Sequence, residues 1–85
     1  MAYQVDFTTA AARQVRKLPK PARTRLLAAA AALANDPRPS GARKLVGEAT
    51  AWRVRIGDYR VIYDVFDQTL TVTVVRAGHR RDVYR

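Results

Sequence analysis

Residues 3–7, Tyr-Gln-Val-Asp-Phe, alternate apolar and polar side chains with the period of a half-buried β-strand. Thr8 and Thr9 follow as candidate N-caps, so the pattern predicts a helix from this point. Ala11, Val15 and Leu18 recur at i, i+4 and i+7, which sets them on one face while Arg13, Arg16 and Lys17 lie largely off it. Pro19 ends this helix, because the residue before a proline is pushed out of the helical region. Lys20 and Pro21 open another, since a proline in the first turn forfeits no hydrogen bond. Leu26, Ala30 and Leu33 share one face of it, and an alanine run carries it to about Ala34. Two antiparallel helices joined by a proline turn are expected.

The stretch from Asn35 to Gly41 contains Pro37, Pro39 and Gly41 and reads as a loop. Beyond it, Trp52 to Ile56, Tyr59 to Val65 and Thr69 to Val75 read as strands, separated by Gly57-Asp58 and by Asp67-Gln68. They predict an antiparallel meander. A strand, two helices and a meander imply helices on one face of a sheet and the other face open to a ligand. No repeat, linker or low-complexity segment interrupts the pattern, so residues 1–85 are expected to form one domain.

Composition narrows the chemistry. The chain has no cysteine, and its His, Asp and Glu residues do not cluster at ligand spacing. Neither a disulfide nor a structural metal is expected, and no cofactor is implied. At this length only roughly 60% of the unfolded surface is buried, so packing alone must hold the core. No run approaches the ~20 apolar residues that cross a bilayer, and the opening residues lack a charged-then-apolar leader pattern. The cytoplasm is the expected location, with no membrane partner. Sixteen Lys and Arg against seven Asp and Glu give a net charge of +9, which points to a polyanion. Most of the cations are arginines, whose planar fork grips a phosphate at two points; a GC-rich genome is a competing source of that bias.

The alternation of a strand puts Trp52, Val54 and Ile56 on one face and Arg53 and Arg55 on the other. If register sets Arg60 beside them, three guanidiniums converge on the open face and favour an anion. A solvated sheet face with unrelated charges is the competing account. The segment from Gly78 to Arg85 concentrates His79, Arg80, Arg81, Tyr84 and Arg85, for which a charged end held by Tyr84 packing is the plainer explanation. His79 is the only histidine. Glu48, Asp58, Asp64, Asp67 and Asp82 are scattered and suit turn or edge roles. With no phosphate-binding glycine loop, no GxSxG, no HExxH and no cysteine nucleophile, metal-free phosphoryl transfer is what remains.

The segments WRVRIGDYRVIYDV and VTVVRAGHRRDVYR resemble the RelE branch of the RelE/ParE toxin superfamily. The opening MAYQVDFTTAA, the KLPK break and the RKLVGE lead-in to the sheet extend the resemblance over essentially the whole chain. It implies an α+β, microbial-RNase-like fold, with two N-terminal helices packed on an antiparallel sheet of about four strands. It also implies a toxin of a type II toxin–antitoxin pair, an endoribonuclease that cuts mRNA in the ribosomal A site and is silenced by a cognate antitoxin. By the same resemblance Arg53, Arg55, Arg60, Arg80 and Tyr84 are the expected catalytic set, with His79 as a candidate acid or base. Lys44, Arg76, Arg81 and Arg85 are expected to contact RNA. Some relatives carry lysine where this chain has Arg53 and Arg55, which leaves the base unassigned. A ParE-like inhibitor of DNA gyrase and a non-catalytic basic RNA-binding module are the alternatives, and the HR…Y tail favours the nuclease.

Overall fold

The computed structural model describes residues 2–79 and 81. Strand β1 (Gln4–Phe7) leads into α1 (Thr9–Arg16) and α2 (Lys20–Ala32). The sheet continues with β2 (Arg43–Lys44), β3 (Ala51–Ile56), β4 (Tyr59–Phe66) and β5 (Thr71–His79). Strand order is β1-β5-β4-β3-β2, with β1 parallel to β5 and every other pair antiparallel. The meander is therefore as expected, and a two-residue strand at its far edge brings the sheet to five strands. No helix among the described residues is long and apolar enough to cross a membrane.

Local chemistry accounts for the helix ends. Thr8 is extended, and its Oγ1 accepts the Ala11 N–H at 3.1 Å, which caps α1. Pro19 precedes α2, and Pro21 sits in its first turn where no N–H is needed. Both helices lie on one sheet face. Ala11, Val15, Leu26, Ala30 and Leu33 pack there against Val61, Tyr63, Val65, Val72 and Val74. Leu26 and Val61 are fully buried, so truncating Leu26 to alanine costs about 2–5 kcal/mol.

Two departures from simple alternation shape the open face. The link between β4 and β5 is a 3-10 turn, Asp67–Thr69, closed by Leu70 at φ 50°, so β5 begins later than a two-residue turn would allow. Within β5 the pairing shifts: Tyr63 opposes Val74, but Ile62 opposes Arg76, so Val75 is an extra residue in a β-bulge. Simple alternation would have sent Arg76 into the core opposite Val61. The bulge puts Ala77 there instead, 3% exposed, and delivers Arg76 to the open face.

Helix α1 satisfies the backbone of β5 where β1 ends. The Thr8 N–H donates to Val74 O at 2.9 Å, and the Ala77 N–H donates to Gln14 Oε1 at 2.9 Å. A short helix thus replaces the missing neighbour of a central strand, and the bulged segment keeps its hydrogen bonds.

Candidate functional site

On the face that the two helices leave open, Arg55 lies directly opposite Arg60, and Arg43 directly opposite Arg53. Directly paired residues project from the same face with Cβ atoms about 4.5–5.5 Å apart, so four guanidinium stems rise together. With Gly41 they line a hollow of about 280 Å3, and no carboxylate is among the described residues of its wall. Arg55 is exposed, and its Nε donates to Gly57 O at 3.2 Å, which ties the side chain to the hairpin turn. Arg53 and Arg60 are half-buried. Like charges facing one another oppose folding, so this arrangement suits a bound anion.

The loop that feeds Arg43 into β2 is anchored from both sides. Tyr63, in the core, donates its hydroxyl to Pro37 O at 2.8 Å, and burial pushes the phenol up to about 12. Arg38 forms a two-point pair with Asp67, at 3.1 Å and 2.7 Å, and Tyr3 donates to the same carboxylate at 2.6 Å. The hydrogen bonds from Arg38, then from Tyr3, hold the Asp67 carboxyl below the usual carboxylate range. The Arg38 guanidinium also lies over the Trp52 ring, 5.3 Å from its centroid. Gly41, at φ +94°, then turns the chain into β2 in a conformation that side chains rarely adopt.

Of the residues expected from the sequence, Arg53, Arg55 and Arg60 come together in this hollow. Arg76 shares their face opposite Ile62, and Gly78 opposes Arg60 without a side chain to fill the space. Arg80, Tyr84 and Arg85 lie outside the described residues.

Two expected site residues are elsewhere. Lys44 opposes Trp52, whose side chain packs against the core, so it projects from the helix-covered side; its ammonium donates to Glu48 O. Arg43, one residue earlier, is the cation that reaches the hollow, and no sequence reading singled it out. His79 pairs with Tyr59 on the helix-covered side, their rings edge to face at 5.7 Å. The bulge at Val75 reverses the alternation that would have turned His79 toward the arginines. Its Nδ1 instead accepts the Arg81 N–H at 3.2 Å.

Comparison with known proteins gives this geometry a context. Residues 5–84 match the family model of the ParE toxin of type II toxin–antitoxin systems. Toxin RelG of Mycobacterium tuberculosis is 39% identical over an alignment that covers 100% of this chain and 99% of the relative. The toxin–antitoxin complex RelBE2 of M. tuberculosis contains a chain of TM-score 0.84 and 33% identity, with 96% of this chain and 95% of that one covered. An archaeal RelE–RelB complex from Pyrococcus horikoshii matches with TM-score 0.84 and 28% identity over 98% of this chain and 100% of that one. The sheet face opposite the helices, with its facing arginines, is thus carried by a RelE-like toxin of a type II toxin–antitoxin system, and the chain belongs to the RelE/ParE superfamily.

Proposed function

We propose that this toxin is a ribosome-dependent mRNA endoribonuclease that cuts messenger RNA in the ribosomal A site. The four-arginine hollow on the open sheet face is the observation that carries the reading. In such cleavage a ribose 2′-oxygen loses its proton and attacks the adjacent phosphorus. The P–O5′ bond then breaks, leaving a 2′,3′-cyclic phosphate and a 5′-oxygen that takes up a proton to become a hydroxyl. Negative charge peaks on the phosphorane between these events. Arg55 and Arg60, facing one another, are placed to stabilise it, and a preorganised donor of this kind contributes ~10² to 10³ in rate.

Arginine stays protonated throughout, so the hollow supplies charge and orientation and the proton acceptor must lie outside it. Tyr84, in the C-terminal pair with Arg80, is the titratable group that the family resemblance puts there. A cognate antitoxin belongs to the same reading. The M. tuberculosis RelBE2 and P. horikoshii RelE–RelB structures are both toxin–antitoxin complexes, and a net charge of +9 favours a partner with an acidic segment.

The test is primer extension on a defined mRNA incubated with the purified protein, with and without programmed ribosomes, beside Arg60→Ala. Cuts that need ribosomes and disappear in the variant are expected. Absence of cleavage in both settings, from folded wild-type protein, overturns the reading. It would favour the alternative of gyrase inhibition on the same fold.

A further inference from the structure

The hollow holds more positive charge than one phosphate requires, and its cations fall into two pairs. Arg55–Arg60 is one cross-strand pair and Arg43–Arg53 the other. Along β3 the two are separated by the Arg53-to-Arg55 step, two residues or ~6.8 Å, comparable to the distance between neighbouring phosphates of an extended strand. Laterally the second pair is displaced one strand toward the β2 edge. Arg43 is exposed at that edge, at the start of β2 and just after a loop fixed by the Tyr63 hydroxyl and the Arg38–Asp67 pair, so its position is set by the fold.

Resting on the nuclease reading above, we infer that the Arg43–Arg53 pair is a second phosphate subsite. It holds the linkage next to the scissile one, with Arg43 as the binding residue that directs the RNA strand off the sheet over β2. The scissile phosphate sits at Arg55–Arg60, and the strand runs obliquely across β3. Arg43 touches no reacting atom in this arrangement. It contributes to capture and register, and removing it affects substrate binding without changing the chemical step.

The measurement is single-turnover cleavage of a synthetic mRNA presented in programmed ribosomes, where the codon fixes which linkage is cut. Wild type, Arg43→Ala and Arg60→Ala are compared on the natural strand and on strands with one uncharged methylphosphonate beside the cleaved linkage, on either side. For Arg43→Ala the toxin concentration at half-maximal rate rises about tenfold, the rate at saturation holds, and the salt dependence of binding loses ~0.7 of a log–log unit, as for one lost phosphate contact. One of the two methylphosphonates weakens wild type by a similar factor and weakens Arg43→Ala, which keeps only Arg53 at that subsite, clearly less. Arg60→Ala loses the saturating rate on every strand.

If wild type cleaves but Arg43→Ala matches it in half-saturation and salt dependence, the second subsite is wrong and the nuclease reading stands. The same holds if the variant remains fully sensitive to both methylphosphonates. If wild type cleaves nothing in programmed ribosomes, both fall. Arg43 is exposed on a two-residue edge strand, so its truncation leaves the core intact, and a matching urea midpoint verifies this.

Discussion

Arg55 and Arg60 oppose one another directly across β3 and β4, two like charges at a position where a sheet is normally stabilised by opposite ones. Relieving that repulsion stabilises the fold and removes function. Replacing exposed Arg55 with threonine, a good strand former, raises stability by about 0.5 kcal/mol in urea denaturation. The same variant loses about 10²-fold in single-turnover cleavage. A variant that is both less stable and fully active would contradict the role given to this pair.

The buried hydroxyl of Tyr63 makes a different prediction. Tyr63→Phe removes the hydrogen bond to Pro37 O and costs about 1 kcal/mol. The phenol is raised from 10.0 to about 12 by burial, so the neutral form belongs to the folded state. Its contribution is complete below the unfolded value and is lost as pH rises from about 10 toward about 12. Urea midpoints measured across that window fall for wild type and fall less for Tyr63→Phe. A residual decline is expected from Tyr3, which the hydrogen bond to Asp67 raises in the same direction.

Asp67 works with the opposite sign. Its depressed value means that the Arg38 and Tyr3 contacts stabilise the folded state above the ordinary carboxylate range, and that this is lost as pH falls through the folded value. Asp67→Asn should therefore leave acid unfolding with a weaker pH dependence. At neutral pH it should speed amide exchange in residues 38–42, which mass spectrometry or NMR reads directly. Unchanged exchange there would mean that the pair does not hold the loop.

Gln14 is a test of how the bulge is kept. Gln14→Ala leaves the Ala77 N–H without its acceptor and costs about 1–2 kcal/mol, whereas Gln14→Glu retains an acceptor and most of the stability. Equal losses in the two variants would assign the effect to packing of the side chain.

The helices and the alternating strands were legible because their patterns are long enough to show a period. Leu26, Ala30 and Leu33 fall on one face of α2 whatever surrounds them, and Arg53 and Arg55 must share a face of β3. The register that brings Arg60 opposite Arg55 follows from the tight Gly57-Asp58 turn. Arg43 escaped because β2 is two residues long, too short to carry a period. Lys44 falls outside the hollow for the same reason, since neighbouring residues of a strand face opposite ways. The bulge left no mark because Val74 and Val75 are both valine, so nothing in the pattern says which is the extra residue. Strict alternation carried past Val75 would put Ala77 and His79 on the opposite face from the one they occupy.

The order of the strands also has a consequence for how the toxin is born. Strand β5 lies between β1 and β4, so the first strand in the chain has no neighbour in the sheet until the fifth has been synthesised. The β1–β5 ladder joins Gln4 to Thr71 across most of the chain, a closure that gains nothing while the polypeptide is still being extended. A nascent toxin therefore holds its arginine-bearing hairpin on an unfinished scaffold, and completion of the sheet waits until β5 has cleared the ribosome that made it.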